Sequence, residues 1–347
     1  MTVPETSPGV GVTSPGEPGP DWSRLRLGTA PDSWGVWHPD DPRQVDWTRY
    51  LDEASRAGYT RTELGPYGYL PTDPARLRDE LERRGLTLTG GTIIPALHRG
   101  AAALDDARRA AADEAATLVP LGARFVVVLP DGFTDENGRV TSSTVLSPAE
   151  WDALTGGLNA LGATLRDEHG LELVFHSHAD THVESQDDIV RLLDATDPAL
   201  VGICLDTGHV TWGGGDNLAL ITRYGDRVRY VHLKQVDPVV RQRAIDERLG
   251  FAPAVRLGAM VEPPTGEPDM PPILDALAAL ERDTLCIVEQ DLFPCRPDVP
   301  YPIADRTRAY YEGLGLDVRG GRAGTAAATP GAASDGGPLT GSSSPAR

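Results

Sequence analysis

Lysine is nearly absent from this sequence of 347 residues. Lys234 is the single lysine among 32 basic residues, and all the others are arginines. A bias toward arginine codons explains the exposed cations, but an ammonium is a compact charge with a tunable pKa, whereas a guanidinium is a planar fork that stays protonated. Lys234 is therefore either a chance survivor at the surface or a residue whose chemistry arginine cannot supply.

Cysteine, long apolar runs and positive charge are scarce as well. The three cysteines have no CxxC spacing, which is typical of free thiols in a reducing cytoplasm. No apolar run approaches the ~18 residues of a transmembrane helix, and the first residues lack the basic start and apolar stretch of a secretory signal. The net charge of −19 would repel a phosphate backbone. We therefore expect a cytoplasmic protein whose partner is a small neutral or cationic molecule, not a nucleic acid or a membrane.

Both ends of the chain differ in composition from its middle. Residues 1–21 and 319–347 are rich in Pro, Gly, Ser and Thr, and such segments bury too little apolar surface to offset chain entropy. The composition predicts two disordered tails around one folded domain, residues 22–318.

Short β-prone runs alternate with helical patterns through this domain. The helical stretches 74–85 and 147–170 begin with Ser or Pro and end with Gly, as helices often do. Eight β/α units predict an α/β fold of the (β/α)8 TIM barrel type. The β-prone runs are residues 24–30, 60–65, 86–94, 124–130, 171–178, 200–206, 227–234 and 284–291.

Polar residues collect at the ends of these runs, where a TIM barrel carries its active site. Five of the eight histidines fall between positions 176 and 232. Imidazole and carboxylate ligands without cysteine suit Mn²⁺, Co²⁺, Mg²⁺ or Zn²⁺, so the pattern predicts a divalent metal site. The residues at the run ends are Glu63, His176, His178, Asp206, His209, His232, Lys234 and Glu289.

Taken one at a time, several of these residues have simpler explanations. His232 can be a core histidine bonded to a carbonyl, Asp206 can cap the following helix, and Glu63 can bind a backbone amide. His182 is interpreted as an ordinary loop residue. Glu289 is harder to explain in this way, because it directly follows a buried run where an unpaired charge is costly.

Several motifs resemble those of a known family. They are "GTAPDSWG" (28–35), "FHSHADTHVES" (175–185), "CLDTGH" (204–209), "VHLK" (231–234) and "VEQD" (288–291). Together they resemble the xylose isomerase-like TIM barrels and, within them, the inosose dehydratases.

The resemblance implies a set of metal ligands. Asp206, His232 and Glu289 match the ligand positions, and His176 stands where related sugar epimerases carry a glutamate. In the inosose dehydratases this stretch resembles a run of three histidines, and "HSH" in this chain departs from that run by one residue. The implied ion is Mn²⁺ or Co²⁺, with Mg²⁺ or Zn²⁺ as alternatives.

The resemblance also implies an activity. It predicts a carbon–oxygen lyase that dehydrates an inosose or a similar polyol ketone through an enolate, in inositol or sugar catabolism. A ketose isomerase or 3-epimerase is the alternative enzyme, a non-catalytic sugar-binding barrel is a third reading, and a homo-oligomer is left open. The implied catalytic residues are Lys234, His209, His178 and Glu289, and the implied substrate contacts are Glu63, Trp34 and His209.

Overall fold

The computed structural model describes residues 21–316. The predicted tail 319–347 lies outside the described residues, as does 1–21 except for Asp21. The strands are β1 (Leu25–Thr29), β2 (Arg61–Thr62), β3 (Thr87–Leu88), β4 (Gly90–Ile93), β5 (Phe125–Val128), β6 (Glu172–Phe175), β7 (Val201–Asp206), β8 (Val228–Leu233), β9 (Gln235–Val236), β10 (Met260–Val261) and β11 (Thr284–Val288).

Helices follow most of the strands, as the alternating pattern predicts. Ser147 and Glu150 form a reciprocal capping box at the start of one helix, and Ser185 and Asp188 do so at the start of the next one. Such caps satisfy backbone amides that have no partner within the helix. The helices are α1 (Trp47–Ala57), α2 (Pro74–Glu82), α3 (Ala101–Leu118), α4 (Pro148–Thr164), α5 (Gln186–Ala195), α6 (Thr207–Trp212), α7 (Asn217–Tyr224), α8 (Pro238–Glu247), α9 (Phe251–Arg256), α10 (Met270–Ala278) and α11 (Pro300–Leu314).

The main sheet closes into a parallel barrel. Its order is β3-β2-β1-β11-β8-β7-β6-β5-β4, and every strand pair in it is parallel. Only Thr89 separates β3 from β4, so these two are halves of one strand whose first half pairs with β2 and whose second half pairs with β5. The predicted eight-stranded TIM barrel is therefore confirmed. Beyond the barrel, β9 and β10 form a small antiparallel ribbon.

The interior of the barrel is a separate apolar layer. Because strand residues alternate between two faces, every second residue points into the barrel, and the others pack against the helices. The inward residues form a buried cluster of Ala30, Phe125, Val127, Val174, Cys204, Tyr230 and Ile287. The next inward position on the later strands therefore lies just above this layer, at the carboxyl ends of the strands.

Two predictions about the whole chain can be compared with the structure. Cys204, Cys286 and Cys295 are all free thiols, as predicted. Among the described residues, no helix is long and apolar enough to cross a bilayer.

Candidate metal centre

Four side chains meet above the apolar layer, each two residues beyond an inward apolar residue. Val174, Cys204, Tyr230 and Ile287 are followed at this spacing by His176, Asp206, His232 and Glu289. Each of these four buried residues offers one ligand atom, and all four atoms lie within 4.8 Å of one another. The structure thus brings together the four residues that the sequence predicts as ligands.

The donor set fits a divalent ion. His232 Nδ1 lies 3.0 Å from Glu289 Oε2 and 3.6 Å from Asp206 Oδ2, and His176 Nε2 lies 3.4 Å from Asp206 Oδ2. Asp206 Oδ2 and His232 Nδ1 are buried and have no hydrogen-bond partner. Buried polar atoms are rarely left unpaired, and two imidazoles with two carboxylates are acceptable ligands for Mn²⁺, Co²⁺ or Zn²⁺.

In three of these side chains, the polar atom that does not face the cluster contacts another group of the protein. Glu63 Oε1 lies 2.9 Å from His232 Nε2, and His176 Nδ1 lies 2.6 Å from the carbonyl oxygen of Ser177. Asp206 caps α6 through Oδ1, which accepts a hydrogen bond from the amide of His209 at 2.8 Å. The capping role of Asp206 and its place in the cluster are therefore compatible, because each uses a different oxygen. Such supporting bonds orient metal ligands.

Lys234 lies at the centre of the acidic groups. Its Nζ is 2.8 Å from Asp291 Oδ2, 3.1 Å from Glu289 Oε2 and 3.2 Å from Asp206 Oδ2, and the residue is only 3% exposed. Burial alone would lower the pKa of Lys234, but these carboxylates raise it well above its usual range. Lys234 is therefore a buried cation that these carboxylates stabilise, and chance survival at the surface does not explain it.

Residues of the segment after β7 pack closely against Lys234. Its backbone amide donates to Thr207 Oγ1 at 2.9 Å, and that hydroxyl donates to the Lys234 carbonyl at 2.7 Å. A Cβ added to Gly208 would lie 2.6 Å from Lys234 Cγ. Thus "DTG" (206–208) at the end of β7 provides one carboxylate, one hydroxyl and the space that the lysine stem occupies.

His178 and His209 form a neutral imidazole pair beside this cluster, with ring centroids 3.9 Å apart. Burial, with the nearby His176 and Lys234, lowers the pKa of His178 to about 3; burial, His178 and Lys234 also lower the pKa of His209 well below its usual range. His178 Nδ1 lies 2.8 Å from the Ala179 carbonyl oxygen, which fixes its proton on Nδ1 and leaves the free electron pair on Nε2.

The opposite tautomer is fixed in His209. The Ala179 amide donates to His209 Nδ1 at 3.2 Å, so the proton of His209 is on Nε2, which lies 3.9 Å from Asp291 Oδ2. The two imidazoles, which the sequence alone does not distinguish, are therefore a proton acceptor at His178 and a proton donor at His209.

The cluster lies at the floor of a cavity of about 400 Å³. His178, Lys234 and Glu63 line it, together with an apolar wall. In that wall, the Trp37 ring stacks on Phe293 and on Phe251, with centroids 5.1 and 6.4 Å apart. Trp37 and Phe251 line the cavity, whereas Phe293 is buried and contacts Trp37.

Trp34 does not reach this cavity. Its ring is fully buried, packs edge-on against Tyr50 at 4.9 Å, and donates from Nε1 to Glu53 Oε2 at 2.9 Å. The structure thus places Trp34 in the core behind the 3-10 turn that follows β1, whereas Trp37, three residues later, lines the cavity.

Asp32 and Asp291 belong to the site but do not stand out in the sequence. Asp291 follows Glu289 by two residues, so strand alternation could have found it. Asp32 lies on the turn after β1, where Oδ1 accepts a hydrogen bond from Trp37 Nε1 at 2.9 Å. Its Oδ2 is buried, has no hydrogen-bond partner and lies 3.9 Å from Lys234 Nζ. Nothing in the local sequence pattern indicates this contact.

Comparisons with known proteins identify the family. The family described as xylose isomerase-like TIM barrel matches residues 51–308. The chain belongs to this family. An inosose dehydratase from Geobacillus kaustophilus is 33% identical to this xylose isomerase-like barrel over 298 residues, covering 84% of this chain and 94% of the relative.

Solved structures share the fold. A probable 3-DHS dehydratase AsbF from Bacillus anthracis, described as involved in petrobactin synthesis, superposes with a TM-score of 0.61 at 13% identity, covering 83% of this chain and 98% of that one. The IOLI protein, whose structure has a zinc atom bound, gives a TM-score of 0.59 at 14% identity, covering 82% and 96%. At such identities these likenesses concern the barrel alone.

Proposed function

We propose that this barrel is a metal-dependent carbon–oxygen lyase that removes water from an inosose or a similar polyol ketone. The observation that carries the proposal is the cluster of His176, Asp206, His232 and Glu289 packed against the buried ammonium of Lys234. The 33% identical inosose dehydratase supports the choice of reaction and substrate class.

The four clustered side chains would hold the ion. When bound there, a divalent ion supplies positive charge that stabilises the oxyanion developing on a ketone oxygen as a neighbouring C–H proton is removed. We assign this proton to His178, which lines the cavity. Its Nε2 has the free electron pair, and its low pKa keeps the imidazole unprotonated and able to accept a proton. The fixed charge of Lys234 then attracts the departing β-hydroxyl oxygen.

The departing hydroxyl needs a proton to leave as water. Lys234 is a poor acid, because its carboxylate neighbours raise its pKa, so we assign this step to Asp32. Burial, with the nearby charge of Asp291, raises the pKa of Asp32 well above its ordinary value. This shift is in the direction that a general acid needs, although the charge of Lys234 opposes it, and Asp32 Oδ2 lies 3.9 Å from Lys234 Nζ. Breaking the C–O bond with this proton releases water and leaves the enol product.

The residue at the end of β6 favours elimination over epimerisation. Sugar epimerases that resemble this chain use two carboxylates, one on each face of the sugar, and here His176 occupies the position of the second. His176 Nε2 lies 3.4 Å from Asp206 Oδ2, which supports a ligand role for His176. A chain with one carboxylate at this pair of positions is better suited to removing a proton on one face and expelling a hydroxyl.

The test is proton NMR in D₂O of the Mn²⁺- or Co²⁺-loaded enzyme with scyllo-inosose and, in a parallel tube, with a ketohexose, after the protein and its ion are removed. Loss of water from the inosose supports the dehydratase. Deuterium entering the ketohexose beside its carbonyl without loss of water would assign an isomerase or epimerase instead, and no reaction in either tube would favour a non-catalytic sugar-binding barrel. Asp206→Asn is the inactive reference, and His169→Gln, away from the clusters of possible ligands, is the matched control.

A further inference from the structure

A second group of ligand-type side chains lies at the same end of the barrel, outside the cavity. His98 lies on the turn after β4, Asp131 on the loop after β5 and His182 on the loop after β6. One atom of each lies within 4.8 Å of the others. None of the three is among the residues that line the 400 Å³ cavity.

The two carboxylate oxygens of Asp131 have different surroundings. Its Oδ2 accepts a hydrogen bond from Arg99 Nη2 at 2.8 Å, while Oδ1 lies 3.2 Å from His98 Nδ1. In spite of that distance, Oδ1 is buried without a hydrogen-bond partner. Two ligands on one tetrahedral Zn²⁺ are about 3.3–3.5 Å apart, as follows from bonds of about 2.0–2.2 Å. At 3.2 Å, the approach of Asp131 Oδ1 to His98 Nδ1 is close to the separation of two ligands on one ion, without the geometry of a hydrogen bond.

His182 is held in the tautomer that a ligand needs. Its Nε2 lies 2.8 Å from the Ser143 carbonyl oxygen, an acceptor, so Nε2 carries the proton and Nδ1 has the free electron pair. Metal-binding histidines commonly donate their other ring N–H to a carbonyl in this way. The His98 and His182 rings are in contact, with centroids 4.9 Å apart, and His182 is 8% exposed.

We propose that His98, Asp131 and His182 form a second metal site, which takes Zn²⁺ or a similar borderline ion such as Co²⁺. Two imidazoles and one carboxylate favour these ions over Mg²⁺ or Ca²⁺, which prefer oxygen ligands. The ion would join the loops that follow β4, β5 and β6.

The position of this site indicates that a bound ion would stabilise the wall of the cavity. The loop after β5 contributes Gly132, Thr134 and Glu136 to the lining of the cavity, and it is bridged to the loop after β6 between Gly132 and Thr181. An ion on Asp131 and His182 would therefore fix this wall of the cavity from outside, where it makes no contact with a substrate.

The test is the number of Zn²⁺ ions bound. Chelator-treated full-length protein is titrated with Zn²⁺ by calorimetry, and the bound metal is counted by mass spectrometry. We expect two ions for the wild type and for the control His169→Gln, one for His98→Gln or His182→Gln, and one for Asp206→Asn, which loses the first site instead. One ion in the wild type, or two in both His98→Gln and His182→Gln, would overturn the proposal.

Anomalous diffraction from Zn²⁺-loaded wild-type crystals decides the matter if a variant does not fold. A peak between His98, Asp131 and His182 supports the site, and no peak there overturns it. The outcome is separable from that of the proposed function: turnover of an inosose with a single bound ion would remove the second site alone, whereas two bound ions without turnover would remove the dehydratase alone.

Discussion

Glu63 Oε1 lies 2.9 Å from His232 Nε2, and this contact turns His232 Nδ1 toward Asp206 and Glu289. Both Glu63 and His232 are buried, so contact with solvent does not explain a carboxylate at position 63. The sequence predicts Glu63 as a substrate contact. It lines the cavity, but its hydrogen bond identifies it first as a residue that positions His232, one of the proposed ligands.

Glu63→Gln is therefore expected to weaken metal binding. The amide keeps the size and one acceptor oxygen but loses the charge that makes the imidazole a stronger ligand, and changes to such supporting partners cost about 10–100-fold in metal affinity. Calorimetric titration with Co²⁺ measures the effect, with the exposed Glu168→Gln as control. An unchanged affinity for Co²⁺ would contradict this role of Glu63.

Lys234→Arg should remove most activity. The ammonium fits within 3.2 Å of Asp206, Glu289 and Asp291, and a planar guanidinium cannot make these three contacts from the same point. We expect kcat/KM to fall by about 100-fold or more, as when a group that stabilises transition-state charge is displaced, with metal content unchanged. The control is Arg109→Lys on the exposed face of α3. A fully active arginine variant would show that any cation suffices.

Asp32→Asn should separate the two halves of the reaction. Asparagine can still accept the hydrogen bond of Trp37 but cannot deliver a proton, so water loss should slow by about 100-fold, a usual contribution of general acid catalysis. Exchange of the substrate's C–H proton with D₂O depends on His178 and should continue. NMR follows both processes in one tube, with the exposed Asp40→Asn as control. If exchange and water loss slowed together, Asp32 would be needed for binding rather than for protonation.

Much of the site follows from strand alternation. His176, Asp206, His232 and Glu289 each lie at the end of a β-prone run, and a parallel barrel brings such ends to one rim. The barrel itself follows from the repeated β/α pattern, although the break of the third strand at Thr89 does not. These features depend on local periodicity, which a single sequence contains.

Contacts between distant loops are not contained in local periodicity. Asp32 reaches Lys234 only because β1 and β8 both neighbour β11, and Trp34 and Trp37 are distinguished by the turn that separates them. His182, interpreted from the sequence as an ordinary loop residue, faces His98 across loops that are more than eighty residues apart in the chain. The tautomers of His178 and His209 likewise depend on Ala179, whose carbonyl and amide face different rings.

Glu114 makes the stability of the barrel depend on pH. It lies on α3 with 1% of its surface exposed, and its carboxyl occupies the space beside Gly91, where an added Cβ would collide with it. Burial raises the pKa of Glu114 from 4.5 to about 8; the amide of Thr92 opposes this shift, and the charge of Glu63 adds to it. Between these pH values the folded protein holds a proton that the unfolded chain has lost, so this contribution is complete below pH 4.5 and is lost as the pH rises to about 8.

Glu114→Gln should remove this dependence, because the amide resembles the protonated carboxyl and does not ionise. The free energy of unfolding of the variant, relative to that of the wild type, should increase with pH by at most about 1.4 kcal/mol per pH unit across this range. Urea unfolding of the metal-free proteins at pH 5.5, 6.5 and 7.5 measures it, with the exposed Glu82→Gln as control. A difference that stayed constant with pH would mean that Glu114 is already ionised in the folded protein, and that the space beside Gly91 accommodates a charge.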